Sequence, residues 1–185
     1  MFNLYTELPT SIDVNGNSFL IKTDFKIWLA FLDLCKVNEL DVASALYMLA
    51  DENDKQKAIE NYSDYITALV NFVSWQPATP NTSNDTKSSP QIVDFSADAP
   101  YIYASFLQAY NLDLMSAKLH FWQFKALFLS LPSNTKMSEI MQARAYRRSA
   151  DSEEKMWKRK REFWKLPVRE NENDNPWGGE FDKLY

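Results

Sequence analysis

The 185-residue chain has only three glycines, one cysteine and one histidine, and no hydrophobic run long enough to cross a bilayer. Each scarcity removes a class of function. Gly16 sits in a turn signal and Gly178 with Gly179 near the end, so no phosphate-cradling glycine loop of the P-loop or dinucleotide type can be built. The lone His120 cannot supply a multi-histidine zinc site, and no cysteine cluster replaces it. No stretch shows the acidic, glycine-interrupted pattern of a calcium hand. We therefore expect no metal, no cofactor and no catalytic residues. Cys35 alone excludes an internal disulfide framework and is expected to fill a small core position. The opening MFNLYTELPTSI lacks the basic-then-apolar order of a signal peptide, which makes the expected protein soluble and intracellular, with no membrane contact.

What is present is helical. Proline costs about 3 kcal/mol inside a helix, and the eight prolines leave three long proline-free stretches. Before the first, Asn15-Gly16 divides two short runs rich in β-branched and aromatic residues, a hairpin signal. Thr23 as N-cap, with Asp24 behind it, predicts a helix near 24–36 carrying Ile27, Phe31 and Leu34 on one stripe. A second helix is expected near 39–50. A third, near 55–75, would bury Ile59, Tyr62, Ile66, Leu69 and Val73. The run PATPNTSNDTKSSP between Pro77 and Pro90 lacks any apolar period and reads as a flexible linker.

Beyond it, Asp98 as cap and Pro100 in the first turn open a helix with Ile102, Tyr103, Phe106, Leu107 and Tyr110. A segment near 116–131 is apolar on almost every side, and Thr135 caps another helix with Met137, Ile140, Met141 and Ala145. Asp151 and Glu154 resemble a capping box before a basic helix bearing Met156, Trp157, Phe163 and Trp164. An acidic tail follows Pro167. The expected fold is mainly α, with six to seven helices in two helical halves and a small N-terminal β-hairpin. Its expected division is 1–76 (hairpin and three helices), 77–92 (linker), 93–148 (aromatic-rich helical region) and 149–185 (basic helix and acidic tail).

The words DAPYIYASFLQAYNLDL and LHFWQFKALFLSLPSNTKMSEIMQAR, from Asp98 to Arg144, resemble the gp-fifteen family of bacteriophage proteins. The resemblance lies in Asp98-Ala99-Pro100, Tyr103, Ser105-Phe106, Leu112-Asp113, the cluster around His120 and Trp122, Leu131-Pro132 and Thr135-Lys136. It implies a protein of the tail module of long-tailed phages of Gram-positive hosts. It further implies a tail-assembly chaperone that binds the tape-measure protein, the tail-tube protein or both in the host cytoplasm.

The net charge of −5 conceals a segregation: from Lys118 to Arg169 thirteen basic residues face five acids, while the rest of the chain carries seven against twenty. A basic block interleaved with aromatics fits an acidic protein partner, nucleic acid or a solvated helix face. Nucleic-acid binding through the basic C-terminal helix is the alternative function, ranked below a protein partner. Aromatics bury large areas with few rotors. Partner contacts are accordingly expected from Tyr101, Tyr103, Phe106, Tyr110, Trp122, Trp157, Lys158, Arg159, Arg161 and Trp164, and helices between Pro100 and Arg144 are expected to form a groove for an amphipathic helix. Segregated charge also permits head-to-tail self-assembly into a ring or spiral. His120, inside the apolar helix, is expected to be a satisfied core or interface histidine.

Overall fold

At Asn15 and Gly16 the backbone turns through two positive φ angles, 53° and 79°, as a two-residue type I′ hairpin requires. The computed structural model describes residues 4–36, 47–75, 91–146 and 153–166. Strands β1 (Ser11–Val14) and β2 (Asn17–Leu20) pair antiparallel, with Ser11 opposite Leu20 and Val14 opposite Asn17. Ile12, Val14 and Phe19 are buried, and the residues between them face solvent, the alternation of a half-buried sheet. Seven helices follow among the described residues: α1 (Phe25–Lys36), α2 (Lys55–Glu60), α3 (Tyr62–Val73), α4 (Ala99–Tyr110), α5 (Phe121–Leu129), α6 (Lys136–Ala145) and α7 (Glu154–Phe163). The fold is mainly α with an N-terminal hairpin.

These elements fall into two compact units. The described part of the first comprises residues 4–36, 47–75 and 118–127. Its core is aromatic: Trp28, wholly buried, stacks on Phe72 at 4.8 Å and on Phe121 at 5.4 Å, and Phe25 stacks on Phe124 at 4.8 Å. The indole of Trp28 still satisfies its one donor, Nε1 donating to Lys22 O at 2.8 Å. Phe19 meets Tyr65 edge-on, and α3 packs on β1.

Residues 118–127 belong to this unit although they follow the linker in sequence, which differs from the expected division at 77–92. Backbone pairing is the reason. Phe25 N donates to Leu119 O at 3.0 Å and Phe121 N to Thr23 O at 2.8 Å, so this segment is stitched to the chain just before α1. Phe121, Trp122 and Phe124 then complete the aromatic core.

Three local expectations are corrected. Asp24, not Thr23, caps α1, its Oδ1 accepting from Lys26 N at 2.8 Å, while the Thr23 carbonyl is used in the pairing above. The expected helix at 55–75 breaks at Asn61, whose backbone (φ −117°, ψ 31°) leaves the helical region. The break rotates the buried face, so Ile59 and Tyr62 are exposed and Ala58, Tyr65 and Phe72 are buried instead. Finally, α5 starts at Phe121 rather than near 116, because Leu119 and His120 are spent on pairing. Of the helix expected at 39–50 only the turn at 47–49 is described, and the polar linker lies, apart from its last two residues, outside the described residues, as does the acidic tail.

The second unit's described part comprises 91–117, 128–146 and 153–166. Here α4 packs on α6 and α6 on α7. Pro100 occupies the first turn of α4, where its missing N–H costs nothing, and Asn111 ends that helix in the left-handed region at φ 51°. Ser105 on α4 accepts from Met137 N at 3.0 Å and so satisfies an otherwise orphaned amide at the start of α6.

Candidate partner-binding surface

Helix α4 has two distinct faces. Ile102, Ser105 and Phe106 are buried. Tyr103, Leu107 and Tyr110, spaced four and three apart, form a row along the edge of that buried face, next to Phe106. Leu107 is 42% exposed and the two tyrosines are half-buried, and none of the three side chains carries a charge, although the Asp113 carboxylate stands at the edge of the row. Tyr103 is hydrogen-bonded to Asp113, whose carboxyl is held below its ordinary pKa, chiefly by the Ser116 hydroxyl and then by the Met115 amide. The Tyr110 ring meets Phe106 edge-on at 5.6 Å, and its partial burial raises the phenol's pKa.

The four α4 aromatics expected to act together therefore separate. Phe106 is wholly buried and belongs to the core, which removes it from any surface. Tyr101 turns toward the end of α7, meeting Trp164 edge-on at 5.3 Å. Tyr103 and Tyr110 are half-buried, Tyr103 bonded to Asp113 and Tyr110 packed against Phe106. Leu107 joins them, a residue whose spacing was visible in the sequence but whose exposure depends on which face α6 covers.

Helix α7 buries no residue, yet it is anchored. Trp157, Lys160 and Trp164 turn inward: Trp157 stacks on Tyr146 at 5.7 Å, and Lys160 pairs with Glu139 at 3.1 Å. Lys136 and Lys160 together depress the Glu139 pKa. Outward lie Lys155, Met156, Lys158, Arg159, Arg161 and Phe163, all exposed, Phe163 to 77%. Lys158, Arg159 and Arg161 are thus where the sequence placed them, whereas Trp157 and Trp164 serve chiefly to dock the helix. Its cap is Glu153, Asp151 lying outside the described residues.

The strongest anchor was not foreseen. Arg144 on α6 makes a bidentate pair with Asp98 at 2.5 and 2.9 Å, and also donates to Ile92 O at 3.0 Å and to Trp164 O at 2.7 Å. Both partners are buried. Asp98, expected as a side-chain cap for α4, is instead the counter-ion of Arg144 and accepts from Asp94 N at 2.9 Å. One guanidinium thereby ties the start of α4 and the end of α7 to α6, matching its planar fork to a carboxylate and two carbonyls. The spacing of Arg144 behind Met137, Ile140 and Met141 is the only hint in the sequence that it faces inward.

In the first unit, Trp122 and Lys125 are also buried rather than presented. Trp122 Nε1 donates to Phe72 O at 2.9 Å and Lys125 Nζ to Val73 O at 2.9 Å, so both serve the carbonyls ending α3. Burial lowers the Lys125 pKa to about 8. His120 stands one residue before α5 and caps it: its Nδ1 accepts from Trp122 N at 3.0 Å while Gln123 Oε1 accepts from His120 N at 3.0 Å, a reciprocal box. Its Nε2 lies 3.0 Å from Pro9 O, which fixes the neutral tautomer with the proton on Nε2. Burial lowers its pKa. Among the described residues no three His, Cys, Asp or Glu side chains gather as metal ligands, and no described helix is long and apolar enough to cross a membrane.

The described residues thus form a mainly helical chain with an uncharged row on α4 and a basic helix docked through its aromatic side. The chain belongs to the Bacteriophage Gp15 protein family, whose model matches residues 4–166. No curated protein and no solved structure matches it.

Proposed function

We propose that this phage protein acts without catalysis in tail assembly, as a chaperone that binds the tape-measure protein, the tail-tube protein or both in the host cytoplasm. The observation that carries this reading is the uncharged stripe Tyr103, Leu107 and Tyr110 on α4. An apolar row at helical spacing fits the apolar row of another helix. Its half-exposure suits reversible binding, because the stripe can be wetted in the free protein at modest cost and buried in the complex. Family membership supports a role in phage structure or assembly. The tail module that the sequence resemblance implies narrows the candidate partners to its neighbours.

The test is a pull-down of the phage's own tape-measure and tail-tube proteins by the full chain and by a chain lacking residues 150–185. Retention of either protein by both forms is expected, since α4 lies outside the deletion. Failure of the full chain to retain either at mild salt would overturn the reading. Nucleic-acid binding by α7 is the second reading, favoured by the exposed Lys155, Lys158, Arg159 and Arg161. Phosphate contacts predict an affinity for single- or double-stranded nucleic acid that falls steeply with salt. No binding at low salt would remove it.

A further inference from the structure

The outer side of α7 is not used by the contacts that dock it. Met156, Arg159 and Phe163, spaced three and four apart, form one exposed row roughly 10 Å long, from the rise of 1.5 Å per residue. Met156 and Phe163 are 42% and 77% exposed. Lys155 and Lys158 flank the row, with Glu162 beside them and Glu153 one turn before Met156, so positive charge leads over its length without being alone. Two apolar side chains with an arginine between them and lysines beside them want an apolar surface that carries negative charge.

Such a surface exists on the same chain, in the other unit. Where α2 breaks into α3, six consecutive residues, 59–64, are exposed, and they include Ile59 at 47% and Tyr62 at 55%. Glu60 and Asp64 are among these six and lie beside Ile59 and Tyr62, hydrogen-bonded to the neutral amides of Gln56 and Asn15. The lysines of α2 do not cancel this charge, because Lys55 pairs with Glu52 at 2.7 Å and Lys57 with Asp54 at 3.7 Å. Single exposed apolar residues are ordinary. Two exposed apolar sets edged by opposite charge are complementary in both respects.

We propose that the Met156–Arg159–Phe163 row of one copy docks on the Ile59–Asp64 corner of a second copy. The contact joins two different surfaces, so each copy has one of each to offer and association continues head to tail until the rotation closes a ring or runs on as a spiral. This goes beyond the α4 reading and does not depend on it.

Sedimentation of the full chain at tens of micromolar, at low (about 50 mM) and high (about 500 mM) salt, tests it. Species heavier than the 21.6 kDa monomer are expected at low salt, shifting toward monomer at high salt. Arg159→Glu, and separately Glu60→Lys with Asp64→Lys, each weaken association at least tenfold. Circular dichroism confirms that both variants keep their helices, since all three positions are exposed. Mixing the two variants restores association, because each supplies the surface that now matches the other. A monomer at low salt, association untouched by either variant, or no rescue on mixing would each overturn the proposal.

Discussion

At the scale of single residues, the side chains that decide the second unit are the polar ones inside it. Arg144 and Asp98 are both buried, and each has the other as its only charged partner among the contacts described above. Removing one partner leaves the other charge stranded in a low-dielectric site, which costs about 3–5 kcal/mol. Arg144→Ala is therefore expected to lower unfolding stability by that amount in urea, and Arg144→Lys to recover only part of it, because an ammonium cannot make the bidentate fork. A loss below 1 kcal/mol for Arg144→Ala would contradict the nexus. Lys125 makes a prediction in pH. Its amine titrates near 8 in the folded chain against an ordinary 10.5, so between these values the unfolded chain holds a proton that the folded one lacks. Stability then rises with pH across that window and is flat below it, by about 1.5 kcal/mol between pH 8 and 9.5. The rise should be absent in Lys125→Met. Measurements stop short of pH 10, where the phenols of buried Tyr65 and half-buried Tyr110, both pushed up, begin to act with the opposite sign.

Among the elements, the hairpin shows what sequence decides locally. Only an Asn-Gly type pair accepts two successive positive φ values cheaply, and a Cβ at Gly16 would meet open space, so Gly16→Ala carries a purely conformational cost. A loss of about 1 kcal/mol is expected in thermal or urea unfolding, with the helices intact by circular dichroism. The Pro100 start of α4 and the stop of α5 before Pro132 were legible for the same reason, since proline restricts its own backbone whatever surrounds it. Faces were less legible. The row from Ile59 to Val73 has a perfect helical period, yet a one-residue break at Asn61 turned Ile59 and Tyr62 outward. Phe106 and Leu107 are neighbours of similar apolar character, and only the position of α6 makes one core and the other surface. Capping by His120 was beyond the sequence, because it depends on where Pro9 and Gln123 lie in space. The basic residues of α7 were legible because charge alone keeps Lys158, Arg159 and Arg161 outside.

On the scale of the whole molecule, the two proposals give different work to two surfaces, the uncharged α4 row to a tail-protein partner and the charged α7 row to a second copy. The two should respond differently to salt: self-association weakens steeply as the Debye length shrinks, while burial-driven partner binding changes little. The claim tested most directly is that α4 carries the partner. Titrating the phage's tape-measure or tail-tube protein, by calorimetry at about 300 mM salt to suppress self-association, compares the native chain with Leu107→Asp, a substitution at an exposed position. The account predicts that the variant keeps its fold and loses at least tenfold in affinity, about 1.4 kcal/mol or more. Equal affinity for the native chain and the variant would contradict it.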